Sequence, residues 1–488
     1  MPDFGVVWGA PLSTQYQPQQ SDAVDNPCKQ LDHNQKRLYD RLSRGFDVIV
    51  AWSPSAGKTR PIVCWALEQL HPFLQRHQVT VADPSPIIKN MIYDAVSKGV
   101  IRQVIWLVPI KQLLEGIASD LAGSILDVIR IYYPDYKSTS LIPGREFVAT
   151  MGEGQYTGDL DKCPFVVAIY ESFAEHIIKY QHHPLLIVFD ETQEVYVQDN
   201  QRKSLRKALG TILQGLKARW KNTRFVMLTG SLHSADIAQA YEFLTAYFGN
   251  QRKILADYVD QPNRSHLIII PDPHVRDPQT IKYYVTQLKK GTCIILFSKR
   301  LIDEYMNWAL SRLPIDQSVY TERVTVNGQT YHVRDVLKFL PKRLAELAVR
   351  RVTYLYRDLD REYLQALPWI QALFSQGIIR VAFATDAIGK GVTLDIQTLI
   401  IPTIKKTGGK LSPSDLIQLV HRAGRGKQPV AKIICHPDDY DVIVKAALAN
   451  RDTFVEPGTV KLDKIDTLLV FLSSIFRSLR QSSDHTLA

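Results

Sequence analysis

Short, almost wholly apolar runs recur along this chain, separated by longer stretches whose apolar positions fall at helical spacing. The runs at 48–52, 104–108, 165–169, 185–189 and 225–228 form a first series. Those at 267–270, 292–297, 352–356, 378–384, 398–401 and 431–435 form a second. Strands without polar alternation are buried on both faces, and their regular exchange with helices predicts parallel sheets covered on each side. The polar stretch 256–266, containing Asp260, Pro262, Asn263 and Arg264, separates the series. The pattern therefore predicts two open α/β domains with a cleft between them, over 28–258 and 259–457. Leu38 and Leu42 mark a helix before the first run, and the helix after it opens near Arg60. Asn327-Gly328 between two alternating segments predicts a hairpin insertion over 319–336 in the second domain. Ile465, Leu468, Leu472, Ile475, Phe476 and Leu479 predict one amphipathic helix within 458–488, and residues 1–27 read as a loosely ordered arm.

Composition narrows the picture. Of 488 residues, 45% are hydrophobic and 22% charged, as in a globular protein of several domains. Lys and Arg number 59 against 49 Asp and Glu, a formal charge of +10 that suits a polyanionic partner such as nucleic acid. The five cysteines are scattered, without a CxxC pair, which argues against a disulfide framework and a zinc site. The start Met1-Pro2-Asp3-Phe4 lacks the pattern of a secretion signal, and no apolar stretch has the length of a membrane helix. A cytoplasmic or nuclear location is the expectation.

Chemistry concentrates where the apolar runs end. Ser55-Ala56-Gly57-Lys58-Thr59 directly follows the first run. Successive backbone N–H groups at such a strand-to-helix turn cradle phosphate, a lysine neutralises the β and γ phosphates, and a hydroxyl ligates magnesium. Trp52 stands where the strict phosphate-loop pattern has its leading glycine. Asp190-Glu191 ends the run 185–189, so both carboxylates emerge at the edge where the phosphate loop opens. There Asp190 with Thr59 would hold magnesium, and Glu191 would activate the attacking water. Far along the chain, Gln418 and the pair Arg422 and Arg425, at helical spacing, can reach the same phosphates from the second domain.

This ordered set resembles the superfamily-two helicases, and most closely the Ski-like branch of the DExH-box group. The resemblance covers about residues 31–436. It implies two tandem RecA-like domains, an α/β fold with a nucleotide cleft between them, reduced here to those domains plus the C-terminal helix. It further implies ATP and Mg2+ as ligands and single-stranded or tailed DNA or RNA as partner. On this resemblance Gln35 reads adenine, Ser55, Ala56, Gly57, Lys58 and Thr59 form motif I, and Gly391 of motif V adjoins the nucleotide. Asp190-Glu191-Thr192-Gln193 is motif II, and Arg425 is the arginine finger beside Arg422 and Gln418 of motif VI. Pro109, Lys111, Gly152, Tyr170 and Ser172 in the first domain, with Ser298, Lys299 and Thr385 in the second, fall where the family contacts nucleic acid. Gln193, Thr229 and Ser231 stand where it couples the two sites.

Three positions depart from the family. Gln193 replaces the usual His or Asp of motif II, Thr229-Gly230-Ser231 replaces Ser-Ala-Thr of motif III, and His421 replaces the glycine before Arg422. The strand-separating hairpin of the Ski-like branch is represented only by 405–410. The expected function is an ATP-dependent helicase or translocase. The alternative is a nucleic-acid-stimulated ATPase clamp inside a larger assembly, where a protein partner supplies the accessory function.

Overall fold

The computed structural model describes residues 30–448, apart from 53–56, 78, 80, 82, 153–154, 178–179, 193–202, 231–233, 260–265, 357–360, 386–393, 407–408, 412 and 425–429. The N-terminal arm, the C-terminal helix, and Ser55, Ala56, Gln193, Ser231, Gly391 and Arg425 lie outside the described residues.

The first series of apolar runs becomes one sheet. Its strands are β1 (Asp47–Trp52), β2 (Val104–Val108), β3 (Val148–Gly152), β4 (Gln155–Thr157), β5 (Phe165–Ile169), β6 (Leu186–Phe189), β7 (Arg224–Thr229) and β8 (Ile254–Val259). They lie in the order β4-β3-β5-β2-β6-β7-β1-β8, all parallel except β4. Val48, Val50 and Trp52 enter one core layer while Ile49 and Ala51 enter the layer on the opposite face, so β1 is buried twice over. Trp52, which stands where the phosphate-loop pattern has its glycine, is a fully buried ring at the end of β1.

The second series forms another sheet. Its strands are β9 (His266–Pro271), β10 (Thr292–Ile295), β13 (Val352–Leu355), β14 (Val381–Ala384), β15 (Thr398–Ile401) and β18 (Val430–Cys435). The order is β13-β14-β10-β15-β18-β9, parallel throughout. Two hairpins stand outside it. One pairs β11 (Arg323–Val326) with β12 (Gln329–His332), and the other pairs β16 (Lys405–Lys406) with β17 (Gly409–Lys410).

Six helices position the site and the contact between the domains: α1 (His33–Ser43), α2 (Thr59–Leu67), α3 (Gln112–Tyr132), α4 (Tyr170–His176), α5 (Lys299–Arg312) and α6 (Arg361–Ser375). A seventh, α7 (Pro413–Val420), precedes β18. Helix α6 stops where Gly377 takes a left-handed φ of 81°, so β14 begins at Val381, later than the apolar run starting at 378.

The apolar pattern passes over β3, β4 and β8. Strand β8 contains Asp257, a buried carboxylate held by Arg37 at 2.7 Å and Arg41 at 2.6 Å, and its burial alternates as befits a sheet edge. Strand β3 has the buried Thr150, whose hydroxyl bonds that of Thr157 on β4. Cys64 is disulfide-bonded, contrary to the reading of scattered thiols. No described helix is long and apolar enough to cross a membrane.

Asp47, which opens β1, fastens the first sheet at its root. Its carboxylate accepts from the Phe225 backbone N–H at 2.8 Å and from Arg252 Nη1 at 3.0 Å. Arg252 also donates to the carbonyls of Thr223, Leu216 and Trp220. Both side chains are buried, so Asp47→Ala strands a cation in the interior and costs about 3–5 kcal/mol. Urea denaturation measures that loss, and a change under about 1 kcal/mol would count against the account.

Candidate nucleotide and nucleic-acid site

Parallel pairing carries the ends of three neighbouring strands to one edge. Strand β7 lies between β6 and β1, with Ala51 opposite Thr229 and Phe189 opposite Met227. Gly57 and Lys58 come next among the described residues after β1, Asp190 follows β6, and Thr229 ends β7 between them.

Helix α1 delivers Gln35 to this edge. Asp32 caps the helix by accepting from the Gln35 N–H at 2.9 Å, and Gln35 Oε1 accepts from the Asp32 N–H at 3.1 Å. One turn on, Arg37 and Arg41 anchor the helix to Asp257 of β8. Gln35 is thereby buried, and its Nε2 donates to the Gly57 carbonyl at 3.1 Å. Gly57 has φ 71°, and a side chain there would collide with the Gln35 amide. Lys58 and Thr59 follow, with Thr59 opening α2.

Asp190 is 6% exposed. Burial comes first in pushing its carboxyl up to about 6, the Glu191 carboxylate adds to that, and Lys58 opposes it. Trp106 Nε1, from the buried middle of β2, donates to its Oδ2 at 3.1 Å, and the Glu191 N–H donates to its Oδ1 at 2.9 Å. The value lies above that of an unfolded carboxylate, so its contribution to stability is full at low pH and lost as pH rises through about 6. At neutral pH an ionised Asp190 therefore strains the unliganded fold. Glu191 has φ 49°, a left-handed backbone costly for a side chain with a Cβ. Strain and buried charge coincide at these two residues.

The donor set fits magnesium. A hydroxyl (Thr59) and a carboxylate (Asp190) are hard oxygen ligands, and a divalent cation offsets the burial and repulsion acting on Asp190. Among the described residues no group of three or more His, Cys, Asp or Glu could hold a metal.

Thr192 is a residue that the sequence reading left without a role. It is buried, and both its N–H, at 2.9 Å, and its Oγ1, at 3.0 Å, donate to the Leu228 carbonyl on β7. The segment after Glu191 is thus tied beside Thr229, the coupling residue expected in motif III. Side-chain type alone offers no signal for this link, because it depends on which strand lies next to β6.

The candidate nucleic-acid residues of the first domain lie along the other half of the edge. Pro109 and Lys111 lead into α3, Gly152 ends β3, and Ser172 lies in α4. Tyr170 departs from the expectation. It has no exposed surface, and its hydroxyl donates to the Asp190 carbonyl at 3.0 Å, so it braces the carboxylate turn and presents no ring to a strand. At Gly152 a Cβ would lie 2.8 Å from Leu114 Cδ1, which accounts for glycine there.

In the second domain Ser298 caps α5, its Oγ accepting from the Leu301 N–H at 3.4 Å. Lys299 Nζ lies 4.8 Å from the centre of the Tyr356 ring. Thr385 follows β14 and donates its N–H to the Leu355 carbonyl at 3.0 Å. All three stand where β10, β13 and β14 end.

The arginine segment also differs from its expected form. Helix α7, which carries the buried Gln418, stops at Val420, and Arg422 lies in the turn beyond it. Gly424 has φ 75° and donates its N–H to the Ile396 carbonyl at 2.8 Å, while Ala423 bridges Ile396. Arg422 therefore lies in a turn and not in the helix expected for it, while Arg425 lies outside the described residues.

Residues 32–240 match the DEAD/DEAH box helicase family. The DExH-box ATP-dependent RNA helicase DExH15 chloroplastic of Arabidopsis thaliana is 31% identical over 101 residues, 16% of this chain and 9% of that protein. The antiviral helicase SKI2 of Saccharomyces cerevisiae is 27% identical over 156 residues, 30% of this chain and 12% of its own length. The matched stretches thus span about a tenth of these relatives. The fold is similar to a Dbp5 variant of S. cerevisiae bound to RNA and ADP BeF3, with TM-score 0.51 and 14% identity over 90% of this chain and 92% of that one. It is also similar to the Mycobacterium smegmatis helicase Lhr bound to ssDNA and AMP-PNP, with TM-score 0.53 and 15% identity over 83% of this chain and 45% of that one. At such identities the likeness is one of fold, two RecA-like domains in tandem.

Trp106→Phe removes the indole N–H that lowers the Asp190 carboxyl, so Asp190 should ionise at a higher pH than in the unaltered protein. The infrared band of the protonated carboxyl, followed against pH, checks the direction. An unmoved or lowered midpoint would contradict the assigned contact.

Proposed function

Over its first domain the chain is a superfamily-two DExH-box protein of the Ski-like kind, and from that premise we propose an ATP-dependent helicase or translocase acting on single-stranded DNA or RNA. Opening and closing of two RecA-like domains would drive it. The observation that most supports this reading is the convergence of Gly57-Lys58-Thr59, Asp190-Glu191 and Thr229 at the ends of three adjacent strands.

Backbone N–H groups at the start of α2, with Lys58, would receive the β and γ phosphates, and Gln35 the adenine. Thr59 and Asp190 would hold magnesium, which would supply positive charge to the transferring phosphoryl group. Glu191 accepts a proton from the water that attacks the γ phosphorus, and the bond to the β–γ bridging oxygen breaks to leave ADP and inorganic phosphate. Gln418, Arg422 and Arg425 would reach the γ-phosphate from the second domain. ATP then favours closure, and loss of those contacts after hydrolysis favours opening.

Lys111, Ser172, Ser298, Lys299 and Thr385 would hold successive phosphates of one strand. Such contacts read backbone, so binding should weaken as salt rises. The strands of the 405–410 hairpin, Lys405–Lys406 and Gly409–Lys410, make a short wedge. This favours translocation or remodelling over unwinding of long duplexes, and it is also the observation that favours the second reading, a nucleic-acid-stimulated ATPase clamp within a larger complex.

Lys58→Ala and Glu191→Gln should each lower strand-stimulated ATP turnover by about a hundredfold or more. Turnover is measured with single-stranded DNA and RNA in parallel, and full activity in either variant removes the proposed site. Displacement of a bound block from one end of a strand separates the motor from the clamp, which hydrolyses ATP but leaves the block in place.

A further inference from the structure

The hairpin β11–β12 belongs to the second domain, yet its tip is seated in the first. Asn327 and Gly328 take φ of 47° and 73°, the mirror-image turn that suits a two-residue hairpin. The Asn327 side-chain Nδ2 donates to the Pro143 carbonyl at 2.9 Å and to the Ser119 carbonyl at 3.3 Å. Its backbone carbonyl accepts from Arg130 Nη1 at 3.1 Å. Ser119 and Arg130 lie on α3, and Pro143 lies on the loop after it. Gly123 of α3 makes room for the tip, since a Cβ there would lie 2.7 Å from Asn327 Oδ1.

Both sides of this contact are stiff. In the first domain the buried Glu146 carboxylate accepts from Tyr136 Oη at 3.0 Å, Ser138 Oγ at 2.7 Å and the Thr139 N–H at 3.2 Å, which ties down the loop carrying Pro143. Ile142 of the same loop is buried among residues of the second domain's core. In the second domain Gln376, just past α6, grips Thr325 of the hairpin at 2.9 and 2.7 Å through its N–H and carbonyl. Tyr331 stands edge-on to Trp369 of α6 with centres 5.1 Å apart. At the hairpin's root the buried Arg351 holds Glu322 and Asp316, each at 2.6 Å.

We propose that Asn327 is a positioning residue and that this hairpin is a second pivot between the domains. Among the described residues the chain passes between them once, between Val259 and His266. Two bodies joined at the crossing and at this seat, where α3 also packs against α6, retain one easy motion, rotation about the line through both joints. Closure is then a single swing, and the tip stays seated throughout it. The pivot would also link the two halves of the proposed nucleic-acid path, because α3 begins just after Lys111 and α6 feeds β14, which Thr385 follows. This inference rests on the two-domain ATPase reading for its activity readout and on the geometry alone for its cross-linking readout.

The test replaces Gly123 and Asn327 together by cysteine, Gly123→Cys with Asn327→Cys, and uses Gly123→Cys alone as the thiol control. A pivot predicts that the disulfide forms at rates within about twofold in the free protein, with a magnesium–ATP analogue, and with analogue plus single-stranded oligonucleotide. It predicts further that strand-stimulated ATP turnover, reduced in the double variant because the Asn327 bonds are gone, rises again on oxidation. A disulfide that fails to form, that forms about tenfold more slowly once both ligands are bound, or that abolishes turnover overturns the pivot, the last two by showing a latch that must release. Absence of turnover in the unaltered protein would instead sink the ATPase reading, and the cross-linking rates would still judge the contact. Should the double variant not fold, Asn327→Ala reads the same attachment. Strand stimulation should fall by about tenfold with unstimulated turnover within about twofold, and equal losses in both would overturn the proposal.

Discussion

The side-by-side parallel pairing of β6, β7 and β1 is the constraint on which the rest of this structure depends. A strand buried on both faces has no solvated interior position for a charged side chain, so lysine and the carboxylates can stand only where such strands end. Parallel pairing puts those ends on one edge. Lys58, Asp190 and Thr229, remote in sequence, become neighbours through the backbone ladder.

That arrangement has an energetic consequence. Asp190 lies at the end of an apolar strand with a second carboxylate next to it, so its ionised form is disfavoured in the free protein, and Glu191 adds backbone strain. Trp106, the Glu191 N–H, Tyr170 and Thr192 hold the turn in place despite this. A cation bound at Asp190 would offset this burial and repulsion, so on the proposed reading ligand binding would change the balance of local conformations.

The domains communicate through more than their covalent crossing. Small residues on α3, the braced loop at Pro143 and the mirror-image turn at Asn327 form one polar joint between two separately cored bodies. Its strength lies in geometry: each bond is modest, but all fall at one point backed by rigid elements on both sides.

The sequence by itself determined the two series of strands, their helical covers, the positions of Lys58 and the acidic pair at strand ends, and the Asn-Gly hairpin. Each is written in local periodicity or in a residue type that a backbone conformation demands. Strands such as β8 escaped because an edge position tolerates a buried ion pair and alternation in place of an apolar run. What only the tertiary structure decided were matters of neighbourhood. Tyr170 turned inward beneath Asp190, Thr192 bonded across to β7, α7 ended before Arg422, and the hairpin tip crossed to the first domain. Strand order and domain approach are set by the summed packing of distant segments, and no local pattern carries that information.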